Sequence, residues 1–211
     1  MQPAQELIDL FRSKAEFVSA VVKNVSDVDG ALAYVVDICN QKEACAILPS
    51  GCEADLSGEA QALCDQKPTK LIAAPDLSDN HRKILQGYCE PNGIQVVTDR
   101  LRRHLGGIDI GLTWAQFGIA ETGTLVIDST DEDLRLATMI SEIHAAILPV
   151  TAIRQSAMDI EKPLQANMQN LGNFTAMITG ASRTADIERV LALGVHGPLE
   201  LHILLVEENH A

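Results

Sequence analysis

Glu121 is the residue whose setting in this sequence points most directly to chemistry. It lies within residues 109–127, where glycines interrupt a stretch that is otherwise mostly apolar or hydroxylated. A carboxylate in such surroundings is costly unless it is paired, hydrogen-bonded or chemically active. Thr122 and Thr124 place hydroxyls on either side of Gly123, where a ligand can approach the backbone closely. The segment indicates either a polar ligand pocket or a demanding loop in which backbone N–H groups hold Glu121.

A second polar turn carries Ser182, Arg183 and Thr184. We expect a helix to begin there, and its first N–H groups together with Arg183 are suited to binding an anion. Asp186 favours the alternative of an ordinary capped helix, because it already occupies the positive end of the helix dipole. The turn is not a P-loop, since G-x-x-x-x-G-K-S/T is missing.

A third candidate is His196, which precedes Gly197 just before the last predicted strand. A histidine in this position can act as a general base or a ligand, or it can be purely structural. His144, His196 and His202 lack the spacing of a zincin motif, so we expect no metal site.

The five cysteines (Cys39, Cys45, Cys52, Cys64 and Cys89) define no redox or metal motif. Their number is odd and no pair has C-x-x-C spacing. This pattern argues against a disulfide framework and against a self-contained zinc or iron–sulfur site. The chain also lacks G-x-G-x-x-G and G-x-S-x-G, so it carries neither a dinucleotide fingerprint nor a nucleophile elbow.

Short apolar runs alternate with helical segments, which predicts an α/β fold with three layers, a mainly parallel sheet and helices on both faces. Residues 1–40 read as an N-terminal helical hairpin outside the sheet, and residues 41–211 as the α/β core of a single domain. The predicted helices are 5–23, 26–39, 52–64, 80–89, 132–143, 158–168 and 184–193. The predicted strands are 44–48, 71–74, 94–97, 124–127, 145–148, 174–179 and 201–206.

The net charge of −13, from 16 basic and 29 acidic residues, argues against a protein that binds polyanions. Such a surface repels nucleic acid and anionic lipid. No apolar run approaches the roughly 18–20 residues that a membrane-spanning helix needs. The N-terminus lacks a basic start followed by an apolar run, so we expect a cytoplasmic protein without membrane insertion.

Five segments together resemble the LUD family and, within it, the lactate-utilisation protein C branch. The resemblance covers roughly residues 10 to 206 and rests on GIAETGTLV (118–126), EDLRLA (132–137), ILP (147–149), TGASRTADIE (179–188) and GVHGP (194–198). It implies a fold related to ribose-phosphate isomerase, glucosamine-phosphate isomerase and CoA-transferases.

The resemblance also implies a role in oxidising L-lactate to pyruvate beside two iron–sulfur partner proteins. The clustered cysteines of those partners are absent here, so we expect no intrinsic cofactor and place the iron–sulfur clusters on the partners. Two alternatives stay open: a free-standing enzyme of the isomerase or CoA-transferase type with Glu121 as base or nucleophile, and a regulatory module that binds a carboxylate or nucleotide. Assembly into a homo-oligomer is a further alternative that stays open.

The three polar turns are expected to converge on one pocket beyond the carboxyl ends of strands, where open α/β sheets bind ligands. Glu121 would be its acid, base or hydrogen-bond acceptor. Arg183 would bind a small anion, with Arg135 or Arg154 as replacements. The remaining contacts would come from Thr122, Gly123, Thr124, Ser182, Thr184, His196 and Gly197.

Overall fold

The fold was analysed in a computed structural model that describes residues 5–43, 69–104, 107–169, 172–184, 192–193 and 197–207. The predicted strand at 44–48, the predicted helix at 52–64 and His196 lie outside these ranges, as do the side chains of Thr184, Ala192 and Leu193.

The described part of the chain contains twelve strands and five α-helices. The strands are β1 (Ala20–Val25), β2 (Leu71–Ala73), β3 (Gln95–Val97), β4 (Ile108–Trp114), β5 (Phe117–Ile119), β6 (Thr124–Asp128), β7 (Ser141–Pro149), β8 (Ile153–Arg154), β9 (Thr175–Ile178), β10 (Arg183–Thr184), β11 (Ala192–Leu193) and β12 (Glu200–Val206). The helices are α1 (Gln5–Phe17), α2 (Val28–Gln41), α3 (Asp79–Cys89), α4 (Glu132–Met139) and α5 (Glu161–Met168). None of these helices is long and apolar enough to cross a membrane.

Six strands form one sheet in the order β1-β12-β7-β4-β2-β3, and every neighbouring pair is parallel. Successive side chains of a strand point to opposite faces. In β7, Ile147 packs into the core with α2 and α3, whereas Leu148 packs on the other side with α1 and β6. Because both faces are buried, the strands read as continuous apolar runs. The predicted mainly parallel sheet with helices on both faces is confirmed.

A second sheet of four strands, in the order β8-β5-β6-β9, covers part of one face of the parallel sheet. Its β5 and β6 form an antiparallel hairpin. The sequence predicts strands near β6 and β9 but not β4 and β5, because Gly111 and Gly118 interrupt the apolar pattern there. Both glycines are close-packing positions within strands.

The predicted N-terminal helical hairpin is wrong. The helix expected over residues 5–23 ends at Phe17, Ser19 adopts φ 69°, and the chain continues as β1. Val22 continues the apolar helical spacing of α1, which hid the change of structure. The edge strand pairs in parallel with β12, a distant contact that no local pattern reveals.

The helix predicted over residues 184–193 is wrong at both ends. Arg183 pairs with Leu193 and Thr184 with Ala192 in a short antiparallel ladder. Thr184 is β-branched and favours such an extended conformation. The residues between β10 and β11 lie outside the described ranges.

A charged cluster joins the amino ends of three parallel strands. Lys42 Nζ lies 2.8 Å from Asp109 Oδ1 and 3.0 Å from Glu142 Oε2. Asp109 is fully buried, and its Oδ2 accepts the N–H of Leu71 at 2.7 Å. Burial alone would lower the pKa of Lys42, but the hydrogen bonds to both carboxylates outweigh it and raise the pKa. The cluster therefore links the end of α2 to the starts of β2, β4 and β7.

Gly111→Ala tests how tightly α4 packs on the parallel sheet. A Cβ at this position of β4 would overlap the backbone carbonyl of Ala137, so we expect the free energy of unfolding to fall by about 1–3 kcal/mol. Gly87→Ala is the matched control, because its Cβ would meet nothing within 4 Å on the exposed side of α3. That variant should gain about 0.5–1 kcal/mol. Urea unfolding measures both, and an unchanged Gly111→Ala protein would contradict the packing argument.

Candidate functional site

The turn between β5 and β6 meets the segment that follows β9. The Oγ1 atoms of Thr122 and Thr124 lie 2.7 Å apart, and Thr124 Oγ1 lies 2.8 Å from Thr179 Oγ1. Gly123 has φ +66°, and a Cβ there would overlap the backbone of Ala15 in α1. The close neighbour of Gly123 is therefore α1, whereas a ligand was expected.

Glu121 lies on the surface of this turn. Its side chain is exposed, and its backbone N–H donates to the carbonyl of Gln155 at 3.1 Å. The expectation of a desolvated carboxylate in apolar surroundings is wrong, because the hairpin turn points the side chain outward. No hydrogen bond or ion pair joins the carboxylate to another described residue, so its role as acid or base stays a prediction.

Arg183 and Ser182 connect the other predicted turns. The guanidinium of Arg183 is exposed, and its Nη2 donates to the carbonyl of Val18 at 2.9 Å. The N–H of Ser182 donates to the carbonyl of Pro198 at 3.0 Å, and a Cβ on Gly197 would lie 3.1 Å from Ser182 Cβ. The described part of the second turn thus meets that of the third, and the first turn is bonded to the same segment through Thr124 and Thr179.

Their meeting place differs from the expected one. Val18 precedes β1, and Pro198 precedes β12, so these contacts lie at the amino ends of those parallel strands. The expectation of a pocket beyond the carboxyl ends is wrong for these residues. The sequence showed that the turns adjoin strands, but it did not show which end of the sheet each turn would meet.

A cleft of about 220 Å³ opens beside Ser182 and Gly197, and we call it the small cleft. Arg135 is the sole charged side chain among its described lining residues. Its Nη1 donates to the carbonyls of Ser129 at 2.6 Å and Thr130 at 2.9 Å, and its guanidinium carbon lies 5.9 Å from the ring centroid of Phe174.

Ser129 contributes an unused hydroxyl to the small cleft. The residue is fully buried, and its Oγ has no hydrogen-bond partner among the described residues. A buried polar atom without a partner is costly.

A larger cleft, of about 680 Å³, lies at the carboxyl ends of β2 and β4, and we call it the large cleft. From β2 the chain leads through α3 outward to β3, whereas from β4 it leads through β5, β6 and α4 on the other face to β7. The two paths diverge, which makes this crevice the topological switch point where α/β sheets bind ligands. This cleft was not predicted from the sequence, although Asp76 directly follows an apolar run ending in Pro75.

Asp76 is the distinctive group of the large cleft. Its Oδ2 accepts the N–H of Trp114 at 2.8 Å, while its Oδ1 is buried without a partner among the described residues. Burial raises the pKa of this carboxyl to about 6, against the lowering effect of its backbone hydrogen bonds. A carboxyl of this kind in a cavity is suited to accept a hydrogen bond or to exchange a proton with a ligand.

Three other polar residues of the large cleft hold local hydrogen bonds. Asp128 Oδ1 accepts both the N–H and the hydroxyl of Thr130, and Asp131 caps α4 through the N–H of Leu134. Within the described ranges, no three His, Cys, Asp or Glu side chains are grouped so as to hold a metal ion.

Of the two buried histidines, His144 and His202, the first is held inside the parallel sheet. His144 lies in β7, and its Nε2 is 2.9 Å from Thr113 Oγ1. Burial lowers the pKa of His144 to about 4, so the ring is neutral at physiological pH.

The comparisons with known proteins agree on one family. The model of the LUD domain matches residues 8–206. A lactate utilization protein C from Halalkalibacterium halodurans is 34% identical over 114 residues, which cover 53% of this chain and 50% of that protein. A lactate utilization protein B from Shouchella clausii is 24% identical over 213 residues, covering 84% of this chain and 43% of that protein. This chain thus spans about half the length of the curated relatives it matches.

The fold has a solved counterpart. A DUF162 family protein from Deinococcus radiodurans superposes with a TM-score of 0.56 at 17% identity, over 97% of this chain and 99% of that one. At this identity the similarity extends to the fold alone.

Asp76→Asn tests the free-energy cost of burying the ionised carboxylate. Because the pKa of Asp76 in the folded protein, about 6, exceeds the ordinary 3.8, protonation of this carboxyl stabilises the fold. That stabilisation is fully present below the ordinary pKa and is lost as the pH rises through about 6. The stabilisation gained by Asp76→Asn should therefore be larger at about pH 8 than at about pH 5, by about 1–2 kcal/mol. Urea unfolding at both pH values measures it. Asp99→Asn, at an exposed position, should show no such difference.

Proposed function

This chain belongs to the LUD domain family, and from that membership we propose that it is a subunit of a system that oxidises L-lactate to pyruvate together with iron–sulfur partner proteins. Relatives named lactate utilization protein B and protein C support a role in lactate utilisation. The similarity to protein B also supports joint action with such a protein.

The chemistry of the small cleft is the observation that carries this proposal. Lactate has a carboxylate, a hydroxyl and a methyl group. The guanidinium of Arg135 is matched to the carboxylate, because planar N–H donors pair with its two oxygens. Its Nη1 is held by two carbonyls, which leaves Nε and Nη2 without partners among the described residues.

The rest of the small cleft fits the remaining groups of lactate. The unpartnered Oγ of Ser129 can bond to the 2-hydroxyl. Phe174 and Met139 line the cleft with apolar surface for the methyl group. A volume of about 220 Å³ suits a small hydroxy acid.

Electrons from lactate must pass to an acceptor, and we place that acceptor on the partner proteins. The five cysteines of this chain are scattered. Burial, with a smaller effect of Cys39, raises the pKa of the Cys89 thiol to about 12, so this cysteine stays a buried thiol. The purified chain alone is accordingly expected to contain no iron or sulfide, and elemental analysis measures this.

Arg135→Gln tests the lactate site. Loss of a charge-assisted hydrogen bond costs about 1.5–3 kcal/mol, so lactate affinity and lactate-dependent reduction of the partners should fall about 10–100-fold. Calorimetry with L-lactate measures the affinity, and a reconstituted mixture with proteins captured from lactate-grown cells measures the reduction.

Arg154→Gln is the matched control for this experiment. Arg154 also donates to two backbone carbonyls and lies over an aromatic ring, with its guanidinium carbon 5.5 Å from the centroid of Phe117, but it does not line the small cleft. Ser129→Ala removes an unpartnered hydroxyl, so it should weaken lactate binding without lowering the melting temperature. Full activity in Arg135→Gln, or equal losses in Arg135→Gln and Arg154→Gln, would refute the assignment.

A further inference from the structure

The large cleft is not needed by the lactate proposal, yet it has the features of a binding site. It lies at the switch point of the parallel sheet, and its volume of about 680 Å³ is three times that of the small cleft at about 220 Å³. Pockets of several hundred cubic ångströms with a few convergent polar groups are typical small-molecule sites. Three features of its lining define the ligand.

The first feature is the orphan oxygen of Asp76. Because Oδ2 is held by the backbone N–H of Trp114, the carboxylate cannot turn freely, and Oδ1 keeps a fixed direction. This Oδ1 is buried and has no donor among the described residues. A carboxylate accepts hydrogen bonds and donates none when ionised, so the missing partner is a donor such as an N–H group.

The second feature is an aromatic wall. The rings of Trp114 and His81 lie with centroids 6.4 Å apart at an angle of 37°. Nδ1 of His81 lies 3.1 Å from Ser78 Oγ, which fixes the orientation of the imidazole. Planar rings stack favourably on such side chains, and base–aromatic stacking contributes about 1–3 kcal/mol per base.

The third feature is the sign of the charge. The charged residues among the described lining are Asp76, Asp128 and Asp131, with neither lysine nor arginine. An acidic lining in a chain of net charge −13 disfavours a phosphate group. The described lining therefore favours a neutral or cationic ligand, in contrast to the anion that the small cleft suits.

We propose that the large cleft binds an amino-substituted nitrogen heterocycle of the nucleobase type, as the free base or nucleoside without phosphate. Its amino or ring N–H donates to Asp76 Oδ1, and its ring stacks on Trp114. The site is distinct from the lactate site and does not depend on it.

The test uses the fluorescence of the full chain, because Trp114 is its only tryptophan. Adenosine, cytidine and guanosine are titrated up to millimolar concentration. At least one should change the emission saturably in the wild-type protein and equally in Asp99→Asn, whose exposed carboxylate is outside the cleft. Asp76→Asn should bind that nucleoside at least about tenfold more weakly, because its amide turns a donor toward the donor of the ligand.

Two ligand controls complete the experiment. The N,N-dimethylated amino derivative of the nucleoside that binds should lose most of its affinity, and the 5′-monophosphate should bind more weakly than the nucleoside. The proposal is overturned if no nucleoside gives a saturable change, if Asp76→Asn or the dimethylated derivative binds as tightly as its parent, or if the monophosphate binds more tightly. Calorimetry with lactate on Asp76→Asn, expected to be unchanged, separates this result from the outcome at the small cleft.

Discussion

The buried ion pair between Lys42 and Asp109 is the interaction on which both clefts depend. A carboxylate without solvent exposure is tolerable because the ammonium group and the N–H of Leu71 satisfy it. Asp109 of this pair also joins β2 to β4 at their amino ends, and at the other ends of the two paired strands Asp76 accepts the N–H of Trp114. The same ammonium group holds Glu142, whose backbone carbonyl accepts the N–H of Leu199 beside the small cleft.

The two clefts lie on either side of the short connection from β6 to α4. Ser129 faces the small cleft, whereas the neighbouring Asp128 and Thr130 face the large cleft. Among the described lining residues, the charged side chain on one side is basic and those on the other side are acidic, so the proposed ligands of the two clefts have opposite charge preferences. Because Arg135 holds the carbonyls of Ser129 and Thr130, it also stabilises the wall that the clefts share.

The sequence predicted the parallel sheet because buried strands are apolar throughout, and helix α3 because Ser78 caps it, as the structure confirms. It failed at β1, where Val22 satisfies a helical and a strand pattern alike and only the distant β12 decides. Ser182 and Gly197, both predicted site residues, do line the small cleft. The arginine that lines it is Arg135 and not Arg183, and only tertiary packing decides between them. Asp76 offered little signal, because an aspartate after a proline resembles any surface turn until the strand beside it is known.

The position of β12 between β1 and β7 constrains how the protein is made. Residues 200–206 fill a central place in the sheet, although the ribosome synthesises them after every other described strand. Until they emerge, β1 and β7 each present an unpaired edge, the kind of surface that seeks strands from other chains. Closure of the central sheet is therefore a late, long-range event in the folding of this chain.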